Sequence, residues 1–302
     1  MHVFVTGATG FVGSAVVKDL LDAGHEVTGL ARSDQGEEAL TAAGARTRRG
    51  SLEDPAGLAA GAREADGVVH CAFIHDFANF LASCEADRRA IEAMVEALEG
   101  SGKPFVNTSG VAGLSSGHPV TEDEEPDLSS PNARGVSARY VSAQMTLAAA
   151  KRGVAASVMR LPPSVHGKGD HGFVPRLVDI AREKGVSAYV GDGANLWPSV
   201  HRFDAARAYR LAMEKSPSGV NLHPVADAGV PMKDIAQAIA DGLGLGKAKS
   251  LTPEEAPAHF GWFAGFAMID VLADSKATRE RLGWSPTHCS LLEDLKGPAY
   301  FA

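Results

Sequence analysis

The residues best placed to do chemistry come at the very start of the chain. Thr6-Gly7-Ala8-Thr9-Gly10-Phe11-Val12-Gly13 follow the apolar run Val3-Phe4-Val5, and Ala15, Val16, Leu20 and Leu21 then recur at helical spacing. A glycine-rich turn between a strand and a helix is the setting in which such a motif binds a dinucleotide. Gly7 permits the turn, Gly10 lets backbone approach a pyrophosphate, and Gly13 allows close packing of helix on sheet. The helix N-terminus offers N–H groups and a positive dipole end to the phosphates, so Thr9, Phe11 and Val12 are expected contacts beside the glycines. The next strand, His25 to Ala31, ends in Arg32-Ser33 rather than in an acid. A carboxylate there would bind the ribose hydroxyls of NAD, whereas an arginine suits the 2′-phosphate of NADP, so NADP(H) is the expected cofactor. The ordinary alternative is that Arg32 is a solvated surface charge.

Strand-like and helix-like segments alternate along the rest of the chain. Ala45 to Arg48, Gly67 to Ala72, Phe105 to Asn107 and Ala156 to Leu161 read as strands. Asp87 to Leu98, Ser137 to Arg152, Val174 to Lys184 and Asp204 to Lys215 read as helices. That alternation implies an α/β fold, a doubly wound parallel sheet of Rossmann type with its ligand at the carboxyl ends of the strands. Residues 1–167 and 200–228 are expected to form the NADP-binding domain, and 168–199 with 229–302 a smaller substrate-binding subdomain. The ligand-facing loops then present Ser51 and Leu52, Ala72 and Phe73, Thr108 and Ser109, and Pro162 and Val165.

At 302 residues, 45% hydrophobic and 22% charged, the chain can bury a substantial core. Its net charge of −8 argues against a nucleic-acid partner. No apolar run approaches the length needed to cross a bilayer, and the first residues lead straight into a strand, so a cytoplasmic protein is expected. Cys71, Cys84 and Cys289 have neither disulfide nor zinc spacing, and no metal is expected.

TGATGFVG, VVHCAF, VNTSG, RLPPSVHGKGD, VHRFDAARAYRLAME and RLGWSP, in that order, resemble the short-chain dehydrogenase/reductase superfamily, in its extended, epimerase/dehydratase-like branch. The likeness to its atypical members is closer, because the catalytic set is altered. The resemblance implies a tyrosine acid, a lysine four residues on, a serine or threonine on the substrate oxygen, and an asparagine. Ser109 fits the hydroxyl position, with Thr108 its competitor, and Asp87 takes the asparagine position. Tyr140 is followed four residues later by Gln144 rather than lysine. In a second register, set by the helix end at Lys151-Arg152-Gly153, Arg139 falls at the lysine and Gly135 at the tyrosine. This second register is preferred, with Arg139 supplying the charge and the ribose contact. The resemblance also implies homodimers formed through the helices at 87–98 and 137–152.

Each candidate has a plainer role open to it. Ser109 and Thr108 suit turn capping, Arg139 a surface pair with Glu122 to Glu125, and Asp87 a helix start favoured by the dipole. His75 and His166 are the histidines best placed to meet substrate, since both follow strand ends. Trp197, with the aromatic run His259 to Met268, forms either an apolar substrate wall or the core of the subdomain. The function expected is NADPH-dependent reduction of a small-molecule ketone or aldehyde. Two alternatives stay open: a sugar-nucleotide epimerase or dehydratase, and a non-catalytic NADP-binding sensor.

Overall fold

The computed structural model describes residues 1–76, 78–114, 117–126 and 133–301, with the side chains of 133–137 set aside. The strands are β1 (His2–Thr6), β2 (Glu26–Ala31), β3 (Arg46–Arg49), β4 (Gly67–His70), β5 (Pro104–Gly110), β6 (Ala155–Leu161), β7 (Ser164–His166), β8 (Ala188–Val190), β9 (Leu196–His201), β10 (Val220–Leu222), β11 (Asp227–Pro231) and β12 (Lys249–Leu251). The helices of the first half are α1 (Phe11–Asp22), α2 (Asp34–Ala42), α3 (Pro55–Glu64), α4 (Phe80–Leu98) and α5 (Ala133–Ala148). Beyond them come α6 (Phe173–Lys184), α7 (Arg202–Lys215), α8 (Met232–Leu243) and short helices at Ala256–Phe260, Ala264–Ala267, Lys276–Leu282 and Leu291–Asp294.

Seven strands form one sheet in the order β10-β6-β5-β4-β1-β2-β3, and every neighbouring pair is parallel. Val3, Phe4 and Val5 are fully buried, as expected of a central parallel strand covered by helices on both faces. The chain winds outward from β1 to β3, then returns to the other side of β1 with β4. The reversal falls at the carboxyl ends of β1 and β4, the place where doubly wound sheets hold their ligands.

Local chemistry fixes the helix starts. Ser33 caps α2 by accepting from the Gly36 amide at 3.2 Å, and Asp54 caps α3 from the Gly57 amide at 3.0 Å with Pro55 following. A second layer follows β6, with a three-stranded sheet (β11-β9-β7) and a two-stranded one (β12-β8). It has its own apolar core, in which Val174, Trp197, Ile235 and Phe263 meet. Among the described residues no helix is long and apolar enough to cross a membrane.

Candidate functional site

Gly7 adopts φ +64°, and a β-carbon there would lie 2.7 Å from the Ala72 amide nitrogen. A β-carbon on Gly13 would stand 2.0 Å from the Gly7 carbonyl oxygen. Both positions therefore exclude any side chain: one by backbone sign and crowding, the other by the closeness of α1 to the turn. Gly10 differs, being exposed, with only the Gly7 carbonyl near its absent β-carbon at 3.2 Å. Its open face lies at the N-terminus of α1, whose first-turn amides have no partner within the helix, an arrangement suited to a pyrophosphate. Phe11 at the head of α1 carries the Arg202 guanidinium 4.3 Å from its ring centroid, and Arg202 also donates to Ser14 Oγ at 2.8 Å.

At the tip of β2, Arg32 and Ser33 are exposed, and no ion pair involves Arg32 among the described residues. The neighbouring Arg49, level with Ala31 across the ladder, is engaged by Asp34 at 2.6 Å and Glu37 at 3.1 Å.

The ends of β4 and β5 carry a buried polar chain. Arg139 of α5 bonds the Asp87 carboxylate at 2.5 Å and the Thr108 carbonyl at 2.7 Å. Asp87 is fully buried, as is His70, whose Nε2 lies 3.3 Å from the same carboxylate. Burial raises the Asp87 pKa, but Arg139 and then His70 outweigh it and hold the carboxyl at about 2. An ionised carboxylate only accepts, so His70 Nε2 donates to it, while the His70 Nδ1 lies 2.6 Å from the Thr6 hydroxyl. The Arg139 guanidinium also lies 4.1 Å from the Phe73 ring centroid, a cation–π contact.

Alternation along β5 divides its side chains between two helices. Asn107 donates to Thr146 of α5 at 2.9 Å. Thr108 faces the other way, donating to the His70 carbonyl at 2.7 Å, so the Tyr209 phenol must donate to it at 2.7 Å. Ser109 shares the Asn107 face, is 8% exposed, and its buried hydroxyl has no hydrogen-bond partner among the described residues. Cys71 sits among these groups with its thiol pushed up to about 12 by burial, which leaves it a protonated packing group.

Several expected site residues lie elsewhere or act otherwise. Tyr140 is 2% exposed, packed with Val111, Val120 and Val158, and its phenol donates to the Gly110 carbonyl at 2.9 Å. Burial drives its pKa far above the ordinary value, which makes this candidate site tyrosine a poor proton donor. Tyr140→Phe should cost about 1 kcal/mol of stability in a denaturant titration, the worth of one buried hydrogen bond. Asp87 is not a helix-start residue: α4 begins at Phe80, so Asp87 lies in its interior, facing the sheet. Arg139 pairs with Asp87, while Glu125 serves Arg160 at 3.0 Å and Glu122 accepts from Thr278. Trp197 is fully buried in the subdomain core, which corrects its expected role at a substrate wall. The aromatic run likewise packs inward at Phe260 and Phe263, leaving Trp262 58% exposed.

His166 is fully buried, with its Nδ1 2.9 Å from Asp294. Leu52 joins the core around Phe4 and Leu58, Pro162 is buried, and Val165 packs against the sheet core. Ser51 caps its own loop, accepting from the Glu53 amide at 3.1 Å. Ser33 is both exposed and committed as a cap. Ala72 donates its amide to Thr6 Oγ1 at 3.3 Å. By contrast Phe73, Arg139, Ser109 and Thr108 converge at the β4 and β5 ends, with His75 edge-on to Phe73 at 5.3 Å. The sequence reading passed over Thr6 and His70, whose signal was only their place at two adjacent strand ends, and Arg202, which was unremarkable without Phe11 beside it.

A glycine cradle at the switch point of a parallel sheet, with a fixed cation and a hydroxyl at the next strand ends, defines a dinucleotide-binding enzyme of the short-chain dehydrogenase/reductase type. The chain belongs to the NAD-dependent epimerase/dehydratase family, whose model matches residues 3–224. It is similar to an uncharacterized protein of Schizosaccharomyces pombe, 46% identical over 305 residues and 100% of both chains. It also resembles the 2-alkyl-3-oxoalkanoate reductase of Stenotrophomonas maltophilia, 31% identical over 235 residues, which are 71% of this chain and 66% of that one. In fold it matches a nucleoside-diphosphate-sugar epimerase from Pseudomonas aeruginosa with TM-score 0.80, 19% identity and coverage of 98% and 95%.

Proposed function

We propose that the protein is an NADPH-dependent reductase of a ketone or aldehyde. The observation that carries this reading is the Ser109 hydroxyl, buried without a partner among the described residues at the end of β5 on the face that packs against α5, the helix that bears Arg139. A buried hydroxyl left without a bond by the described residues is suited to a carbonyl oxygen of the ligand. The reductase name of a 31% identical relative supports the same class. The cofactor, when bound, supplies hydride to the carbonyl carbon.

Arg139 holds a permanent charge where the nicotinamide ribose is expected. Two of its donors are spent on Asp87 and the Thr108 carbonyl, and the remainder are free to meet ribose hydroxyls. Ser109 orients the substrate oxygen. The glycine cradle takes the pyrophosphate, and Arg32 takes the 2′-phosphate. The test is NADPH oxidation across a panel of ketones and aldehydes, with sugar nucleotides in parallel. Turnover of the sugar nucleotides alone would replace this reading with epimerisation or dehydration, and NADPH binding without turnover would leave a sensor.

Two expectations belong to this reading. Arg32→Asp with Ser33→Ala should weaken NADPH roughly ten- to a hundredfold in Kd while sparing NADH, since a charge-assisted contact is worth about 1.5–3 kcal/mol; equal changes for both cofactors would refute the assignment. Ser109→Ala should lower kcat more than Tyr140→Phe, because the phenol is tied to Gly110. A general acid contributes on the order of 10²–10⁴ in rate, so a fall of that size for Tyr140→Phe would restore the phenol to the site.

A further inference from the structure

The head of α1 collects positive charge that the protein itself does not balance. A helix N-terminus carries about half an elementary positive charge, and acids commonly stand there: Asp34 and Glu37 occupy the first turn of α2. The first turn of α1 holds no acid, and its N-cap, Gly10, has no side chain to offer. An arginine arrives there instead. Arg202, the first residue of α7, donates through Nη2 to Ser14 Oγ at 2.8 Å, and its guanidinium lies 4.3 Å from the Phe11 ring centroid. Phe11 and Ser14 are the first and fourth residues of α1, so both contacts tie the cation to the turn that follows the glycine motif.

Among the described residues Arg202 has no ion-pair partner. Asp170, the acid whose charge acts on it, is engaged elsewhere, accepting from the Gly172 amide at 2.7 Å and the Tyr300 hydroxyl at 3.0 Å. Desolvation outweighs Asp170 and lowers the Arg202 pKa from its usual value, as expected of a cation buried without compensation. Further along the same helix Arg210 shows the ordinary arrangement, with Asp19 at 2.7 Å and Glu214 at 2.8 Å. The Arg202 guanidinium is also fixed in orientation. Its Nη1 donates to the Lys168 carbonyl at 3.0 Å, in the loop between β7 and α6, and the Phe203 ring centroid lies 5.4 Å away. Arginine has five N–H donors, so these two bonds leave one N–H on each terminal nitrogen for a ligand. A planar cation held beside helix amides suits an anion with phosphate geometry.

We infer that Arg202 binds the pyrophosphate of the dinucleotide, adding a side-chain cation from α7 to the backbone cradle of Gly7 to Gly13. The role rests on that cradle and is independent of the reaction the cofactor serves. Because the pyrophosphate is common to NADPH and NADH, Arg202 serves both alike, whereas Arg32 at the tip of β2 acts on the 2′-phosphate alone. Arg202 also joins α1 to the loop that leads into α6, so the anion is bound where the dinucleotide domain meets the second layer.

The experiment titrates wild type, Arg202→Gln, Arg202→Met and Arg202→Lys with NADPH and with NADH by cofactor fluorescence, at low and at high ionic strength. A circular dichroism melt shows that each variant is folded. Arg202→Gln should raise Kd roughly ten- to a hundredfold, by the same factor for both cofactors, as a charge-assisted contact is lost. Arg202→Met, which keeps an apolar stem beside Phe11, should lose as much, and it carries the comparison should Arg202→Gln unfold. Arg202→Lys should recover most of the affinity, since an ammonium still binds phosphate as a point charge. Salt should weaken binding to wild type more steeply than to the two neutral variants, because screening acts on the charge that they lack. Unchanged affinities, a loss confined to NADPH, or a loss that lysine does not repair and that keeps the wild-type salt dependence would overturn the role of Arg202 while leaving the cradle and the reductase reading intact. A wild type that binds neither cofactor overturns the cradle as well.

Discussion

Asp87→Ala is expected to destabilise the protein by about 3 kcal/mol or more, a loss read as a lower urea midpoint with unchanged slope. Removing one partner of a buried ion pair leaves the other uncompensated, which costs about 3–5 kcal/mol against a total stability of roughly 5–15 kcal/mol. Here the change would strip the acceptor from both Arg139 Nη1 and His70 Nε2. Arg139, with 17% of its side chain exposed, can recover some hydration, which places the expectation at the lower end. Asp87→Asn keeps an acceptor but loses the charge, so it should cost less. The pH dependence has a definite sign. The folded-state pKa of Asp87, about 2, lies below its ordinary 3.8. Its contribution is therefore complete above pH 3.8 and is lost as pH falls through about 2. The stability gap between wild type and Asp87→Asn should narrow over that window. A gap that stays constant down to pH 2 would show that the charge of Asp87 contributes nothing.

Gly10→Val should abolish measurable binding of the dinucleotide while the protein remains folded. At Gly10 the backbone is extended, φ −75° and ψ 173°, which valine tolerates, and the one close neighbour is the Gly7 carbonyl at 3.2 Å. The branched side chain would fill the open face where the pyrophosphate must approach the α1 amides. NADPH fluorescence titration beside a circular dichroism melt separates the two effects. Binding that survives in a folded Gly10→Val would make this turn a purely structural device. The same substitution at Gly13 is expected to fail differently, by unfolding, because its β-carbon meets the Gly7 carbonyl oxygen at 2.0 Å.

What could be read before folding was local or periodic. The strand-turn-helix of the first residues announced its cradle because glycine spacing and apolar runs act within a few residues of one another. The strand and helix positions followed for the same reason, with ends displaced by a few residues. β3 covers Arg46–Arg49 rather than Ala45 to Arg48, and α4 begins at Phe80 rather than Asp87. That last displacement mattered, since it turned a presumed helix-start carboxylate into a buried ion-pair partner.

The sequence by itself determined the parallel α/β architecture, the phosphate turn and the exposed Arg32 at the end of β2, all of which rest on short-range pattern. It could not decide which neighbours 139 and 140 point at, because adjacent helical residues diverge by about 100° and only the packed sheet tells inside from cleft. Tertiary structure sent Tyr140 into the core against Gly110 and Arg139 across to Asp87, 52 positions earlier in the chain. It also brought His70 and Thr6 together from strands 64 residues apart. Such contacts depend on strand order and register, which long-range burial sets and no local spacing encodes.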